Sequence, residues 1–137
     1  MKIYVSHSLT DAPIEYLESK NNFKKNLEDL GFEVLHFFGL GSSPSAFEVY
    51  QYDIKNVENS DLVIIFTDRP SFGGGQEFQH AIGISKNILV LKNKDLKVTR
   101  MILGPVQEYN NIELFEYDPA LNYGDILEYL KNKYLLK

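Results

Sequence analysis

Leu62-Val63-Ile64-Ile65-Phe66, followed shortly by Pro70-Ser71-Phe72-Gly73-Gly74-Gly75-Gln76-Glu77, is the stretch that decides the fold of this chain. An unbroken apolar run bounded by turn residues reads as a strand buried on both faces, as parallel sheets require. The run breaks into a Ser/Gly loop, and the pattern becomes helical from about Gly75 to Ser85. A helix entered from such a loop presents free backbone N–H groups at its start, which favour an anion, typically a phosphate. The same reading puts the Glu77 carboxylate in the first helical turn, beside whatever the loop holds.

Outward from this point, strands and helices alternate. Residues 2–6 read as a buried strand with Ser6-His7-Ser8 at its carboxyl end. Pro13 suits the first turn of a helix that runs to about Leu30, with Ile14, Leu17, Phe23, Leu27 and Leu30 facing inward and Gly31 as its stop. Phe32 to Phe37 reads as the next strand, followed by a Gly/Ser/Pro loop from Gly39 to Ser45. A helix from roughly Phe47 to Asn59 carries Tyr50, Ile54 and Val57 on one side. Asp61 to Phe66, Asn87 to Leu91 and Ile112 to Tyr117 read as three further strands, and Gly124 to Leu136 as a closing amphipathic helix. Residues 93–111 give the weakest pattern: a Lys-rich loop, then a helical turn at Thr99-Arg100-Met101-Ile102-Leu103-Gly104.

This alternation predicts one α/β domain over residues 1–137: a three-layer, flavodoxin-like or Rossmann-like, five-stranded parallel sheet with helices on both faces. Ligands in such folds gather beyond the carboxyl ends of the strands. Those ends carry Ser6-His7-Ser8, the Gly39–Ser45 loop, Asp68 to Gly75, and the loop after Leu91.

The bulk composition narrows the chemistry. At 137 residues, with 44% apolar and 24% charged residues, the chain is of ordinary globular make-up. A net charge of −5 argues against a dedicated binder of nucleic-acid polymers, though not against a small anion held by backbone amides. The chain has no cysteine, so disulfides, thiolate catalysis and cysteine metal sites are excluded. His7, His36 and His80 show no metal-ligand spacing, and neither a metal nor a cofactor is expected. The opening Met1-Lys2-Ile3-Tyr4-Val5 is too short for a signal-peptide core, and no stretch approaches a membrane span, so a cytoplasmic protein is the expectation.

Glu77 is the foremost chemical candidate. It reads either as a helix-start glutamate interacting with the macrodipole or as a positioned carboxylate of the kind covalent glycosyl transfer needs. Asp53, in Tyr50-Gln51-Tyr52-Asp53-Ile54, is either solvated or a second carboxylate aimed at Glu77, which would divide nucleophilic attack and proton transfer between the two. Ser71 is a loop residue or a hydroxyl donor to phosphate. Asp68 reads as a turn acid, His7 and Ser8 as ligand contacts or turn stabilisers, and His80 as a packing or surface residue. Tyr4, Phe37, Phe38 and Phe47, near strand ends, are either core or stacking surfaces for a base.

Taken together, Tyr52-Asp53-Ile54, Ser60-Asp61-Leu62-Val63-Ile64, Pro70 to Glu77, Ala81, Asn87-Ile88-Leu89-Val90-Leu91 and Thr99 to Gly104 resemble the nucleoside 2-deoxyribosyltransferase superfamily. Within it the resemblance is greatest to the 2′-deoxynucleoside 5′-monophosphate N-glycosidases. It implies that Glu77 is the nucleophile on the anomeric carbon and Asp53 the assisting acid. The substrate, a small nucleotide or nucleoside, would be bound by Tyr4, Ser6, His7, Ser8, Ser71, Gly73, Gly75, Thr99 and Met101. Serine at position 71, where the transferases place an aspartate, suits a 5′-phosphate. Thr99 matches a residue that reaches the phosphate from a neighbouring subunit, which implies a homodimer or larger assembly with shared sites. The chain departs from the family in having Gln79 for a glycine, Gln76 for a bulkier apolar residue, and no glycine-and-arginine loop after the first strand. Three other readings stay open: a deoxyribosyltransferase, a non-catalytic nucleotide-binding module, and a TIR-like NAD glycohydrolase, which Ile3-Tyr4-Val5-Ser6-His7-Ser8 resembles.

Overall fold

A computed structural model describes residues 1–37 and 44–136. The element order is β1 (Lys2–Ser6), α1 (Ile14–Asp29), β2 (Glu33–Leu35), α2 (Ala46–Asn59), β3 (Leu62–Phe66), α3 (Phe72–Gly83), β4 (Asn87–Asn93), α4 (Arg100–Glu108), β5 (Ile112–Tyr117), a 3-10 turn at Pro119–Leu121 and α5 (Gly124–Tyr134). All strand pairs are parallel and the sheet order is β2-β1-β3-β4-β5. This is the doubly wound, flavodoxin-like order, whose direction of winding reverses between β1 and β3. Expectation and structure agree on the fold class.

Side-chain alternation along the strands feeds two cores. One face buries Ile3, Val5, Leu62, Ile64, Phe66, Leu89 and Leu91 against Phe23 and Leu27 of α1 and Ile126 and Leu130 of α5. The other buries Tyr4, Val63, Ile65, Ile88 and Val90 against Val57 of α2, Phe78 and Ala81 of α3, and Ile102 and Val106 of α4. Because the side-chain period of a strand is two, Tyr4 and Ser6 point to the same face, the one covered by α2 and α3. The β1–β3 register sets them opposite Val63 and Ile65.

Several boundaries differ from the reading of the sequence. The strand expected from Phe32 to Phe37 pairs only over Glu33–Leu35, because β1, its single neighbour at the sheet edge, supplies partners only to Leu35. Pro13 stands just before α1 with ψ 149°, outside the helix, and Ile14 is exposed. The inward face of α1 is instead Lys20, Phe23, Lys24 and Leu27, two of them lysines that apolar periodicity does not count. The weak segment holds a helix, α4, which Thr99 opens by accepting the Met101 N–H on its Oγ1; Pro105 lies inside it. Strand β4 continues past Leu91 to Asn93 because β5 pairs with it that far. The helix expected from Gly75 begins at Phe72, and α5 ends at Tyr134 rather than Leu136. Most of the Gly39–Ser45 loop, with Phe38, lies outside the described residues.

Lys20 pins the loop that leads into α3. Its buried Nζ donates to Asp68 Oδ2 and to Tyr123 Oη, both at 2.7 Å, and lies over the Tyr16 and Phe66 rings. A buried lysine is tolerated when its charge is matched and its protons are used, and both conditions hold. Asp68 is therefore an ion-pair partner that joins α1 to the chain just before Ser71.

The central strand supplies the stability test. Ile64→Ala, which truncates a fully buried side chain between β1 and β4, is expected to cost about 2–5 kcal/mol. In urea titration the midpoint should fall while the slope stays unchanged.

Candidate active site

The entrance to α3 is built by Ser71. Its backbone is extended, and its Oγ accepts the Gly74 N–H at 3.1 Å, so it is the N-cap of a helix that already contains the three glycines. Glycine is a poor helix former, at about 1 kcal/mol below alanine, so space must explain its presence here. A Cβ on Gly74 would lie 3.1 Å from Ser71 Oγ and 3.5 Å from Ser6 Oγ, whereas Cβ atoms on Gly73 or Gly75 would enter open space. Gly74 thus leaves room for the Ser71 hydroxyl that caps the helix, and its two neighbours leave room in the adjoining cavities. The early start also corrects the position of Glu77. With Phe72 as the first helical residue, Glu77 falls in the second turn, on the inward side and beyond the unpaired amides.

Glu77 is 8% exposed and anchored from below. Ser6 Oγ donates to Oε1 at 2.8 Å, and Tyr4 Oη donates a short hydrogen bond to Oε2. Burial lifts the carboxyl to about 7; the two hydroxyls and the Lys24 charge pull it down, while Asp53 pushes it up. Tyr4, fully buried and beside this carboxylate, is pushed well above the ordinary phenol range and remains a donor. Each carboxylate oxygen is thus positioned by one donor and keeps lone-pair capacity.

A cavity of about 390 Å3 opens over Glu77 and is shared with Asp53. Its walls include His7, Phe37, Tyr50, Ile54, Ser71 and Gly73. A second cavity of about 340 Å3 lies across the start of α3, walled by Phe66, Gly75, Phe78, Val98, Thr99 and Met101. His7, Ser71 and Gly74 line both and form the divide. Both cavities lie beyond the carboxyl ends of β1 and β3, at the reversal of winding. Both are of a size for a small ligand.

The residues named from the sequence therefore fall into three groups. Glu77, Asp53, His7, Ser71 and Gly73 line one cavity; Gly75, Thr99 and Met101 line the other. Tyr4, Ser6 and Ser8 are buried and line neither: the first two hold Glu77, and the Ser8 carbonyl accepts from His7 Nδ1 at 2.9 Å. Tyr4 thus has no free face on which a base could stack. Phe47 is exposed, and His80 is a surface residue 3.3 Å from Glu58.

Burial and the Lys24 charge lower His7 to about 4, so at neutral pH it is an uncharged imidazole with its proton on Nδ1. Lys24 itself, 4% exposed, was missed by sequence reasoning. Only its spacing of one turn from Lys20 on the inward face hinted that it is buried. Among the described residues no group of three His, Cys, Asp or Glu side chains could hold a metal ion, and no helix is long and apolar enough to cross a membrane.

Solved structures that share this fold include three enzymes. The CMP N-glycosidase of Clostridium botulinum superposes with a TM-score of 0.71 at 18% identity, over 96% of this chain and 99% of that one. A 2-deoxyribosyltransferase from Leishmania mexicana gives 0.67 at 15% identity, over 98% and 99%. Another, from Bacillus psychrosaccharolyticus, gives 0.61 at 18% identity, over 93% and 96%. No family model and no curated protein matches the sequence.

The raised carboxyl makes a stability prediction. Glu77 rises from an ordinary 4.5 to about 7 on folding, so the folded chain holds the extra proton within that window. The resulting stabilisation is complete below 4.5 and is lost as pH rises through 7. Glu77→Gln should therefore be more stable than the wild type above pH 7, on the order of 3 kcal/mol, and the difference should vanish near pH 4. Thermal melts across that pH range would show it.

Proposed function

We propose that the chain is a member of the nucleoside 2-deoxyribosyltransferase superfamily and cleaves the base–sugar bond of a (deoxy)nucleoside 5′-monophosphate. The observation that carries this reading is the pairing of Glu77 and Asp53 on one cavity, with Glu77 held by Tyr4 and Ser6. The likeness in fold to an N-glycosidase and to two deoxyribosyltransferases supports it.

In the first step a Glu77 oxygen forms a bond to the anomeric carbon as the carbon–nitrogen bond breaks. The electron pair leaves with the base, which takes a proton from the Asp53 side of the cavity. In the second step water adds to the anomeric carbon, the ester bond breaks, the water gives up a proton, and the Glu77 carboxylate is restored. Two easier displacements replace one difficult departure. A second base in place of water would give transfer by the same residues.

The first-turn amides of α3 and the Ser71 hydroxyl, which retains a proton to donate, would meet the 5′-phosphate. Thr99 lines the cavity that lacks Glu77, so in this reading it serves the site of a second copy in a homodimer. Phe72 and Met101, 94% and 80% exposed, are the apolar residues such a contact would cover.

Free base should be released from deoxynucleoside 5′-monophosphates, read by chromatography against nucleosides, ribonucleotides and NAD. Glu77→Ala should lower that release at least about 1,000-fold, roughly 4 kcal/mol, with the fold retained. Release from nothing in the panel, or activity undiminished in the variant, would overturn the proposal. Mixing Glu77→Ala with Thr99→Val chains should regain activity if sites are shared, and none if each site lies within one chain.

A further inference from the structure

Lys24 is a buried cation that the chemistry above does not use. It lies on the inward face of α1 and is 4% exposed, and its Nζ stands 4.0 Å from the centroid of the Phe37 ring. Phe37 in turn meets Tyr4 edge-on at 5.8 Å and His7 at 4.9 Å, and it forms part of the wall over Glu77 and Asp53. A lysine costs several kcal/mol to bury charged unless something compensates. The Phe37 face returns only about 0.5–2 kcal/mol. Glu77 and Asp53, which share with Phe37 the wall of one cavity, favour the charged lysine further.

We propose that Lys24 is the counter-charge of the candidate active site: a cation seated against Phe37 that favours the ionised form of Glu77 beneath the cavity it shares with Asp53. It is a positioning residue in the electrostatic sense, since it lines neither cavity and touches no ligand. The groups that face this charge come from four directions. Tyr4 and Ser6 stand on β1 with His7 just after it, Asp53 on α2, Glu77 on α3, and Lys20 of α1 with its partner Asp68 also acts on His7. Tyr4 and Ser6 are neutral donors. Asp53 opposes ionisation of Glu77, which leaves Lys24 as the cation acting in its favour.

The same charge accounts for a second feature. A cation near His7 disfavours its protonation, and the ring is an uncharged imidazole. One lysine thus adds to the effect of burial at His7 and opposes it at Glu77, favouring the neutral ring at the first and the carboxylate at the second. Lys24 itself pays for this, lowered to about 8 by burial and sustained by Glu77 and Asp53.

The catalytic consequence rests on the role proposed for Glu77, but the charge coupling does not, so the test reads titration rather than turnover. Glu77 is followed by its carboxyl 13C shift, assigned with Glu77→Gln, and His7 by its ring protons. In Lys24→Met, which keeps the stem and removes the charge, both midpoints should rise, Glu77 by on the order of half a pH unit or more. In Lys24→Arg, which keeps the charge, both should stay near the wild type. If neither midpoint moves in Lys24→Met while the amide spectrum stays native, or if Lys24→Arg moves them as far as Lys24→Met does, the proposal is overturned. A shift in both midpoints, in a protein that cleaves no nucleotide, would uphold the coupling and count against the glycosidase reading alone.

Discussion

A carboxylate buried against a parallel strand is the constraint on which this structure turns. Glu77 sits nearly buried at the floor of a cavity, beyond the free amides of its helix, and is held there by Tyr4 and Ser6. Those two residues can serve together only because they are two apart on β1 and so share a face. The strand must lie beside β3 for α3 to bring Glu77 over it, and glycine at position 74 leaves the Ser71 cap its place at the start of that helix. One pair of hydrogen bonds thus ties the strand order, the register and the glycine run to the chemistry of a single side chain.

The surroundings add charge to this geometry. Both faces of the sheet are apolar in the middle, so ionisable groups collect at the carboxyl ends of the strands, where the helices splay and the winding reverses. Two lysines of α1 reach that end, one turn apart. Lys20 is matched by Asp68 and fixes the approach to Ser71, whereas Lys24 lies against Phe37 and acts on Glu77 and His7 through its field. The result is a site with a carboxyl near 7 and an imidazole near 4, the reverse of their ordinary order. Burial drives both shifts, since each group is held toward its uncharged form.

The start of α3 divides the ligand-accessible space. His7, Ser71 and Gly74 stand between a cavity that holds the two carboxylates and one that holds Thr99 and Met101. A ligand in the first cavity meets the nucleophile candidate and the helix amides of one chain. The second cavity has the exposed side chains of Phe72 and Met101 near it.

Much of this was legible in the sequence. The apolar run Leu62 to Phe66, the alternation of strands and helices, and the Gly73-Gly74-Gly75 entrance are local patterns, and local patterns specify element type and hence fold class. Glu77 was legible as a candidate because it follows the glycine run after β3, and Asp53 as a second carboxylate that could be aimed at it from the helix before β3. The helix start was misjudged because three glycines read as loop, whereas Ser71 caps a helix that already includes them. Tyr4 reads as core or as a stacking surface, because its ring is visible in the sequence and its burial is not. Lys24 was overlooked because a lysine carries no apolar signal, yet its depth comes from the placement of α1 over Phe37. The sequence alone determined which elements form and which residue types are at hand. Tertiary structure alone decided which of them share a cavity, since burial, hydrogen-bond partners and the fields that shift a pKa arise between residues distant in the chain.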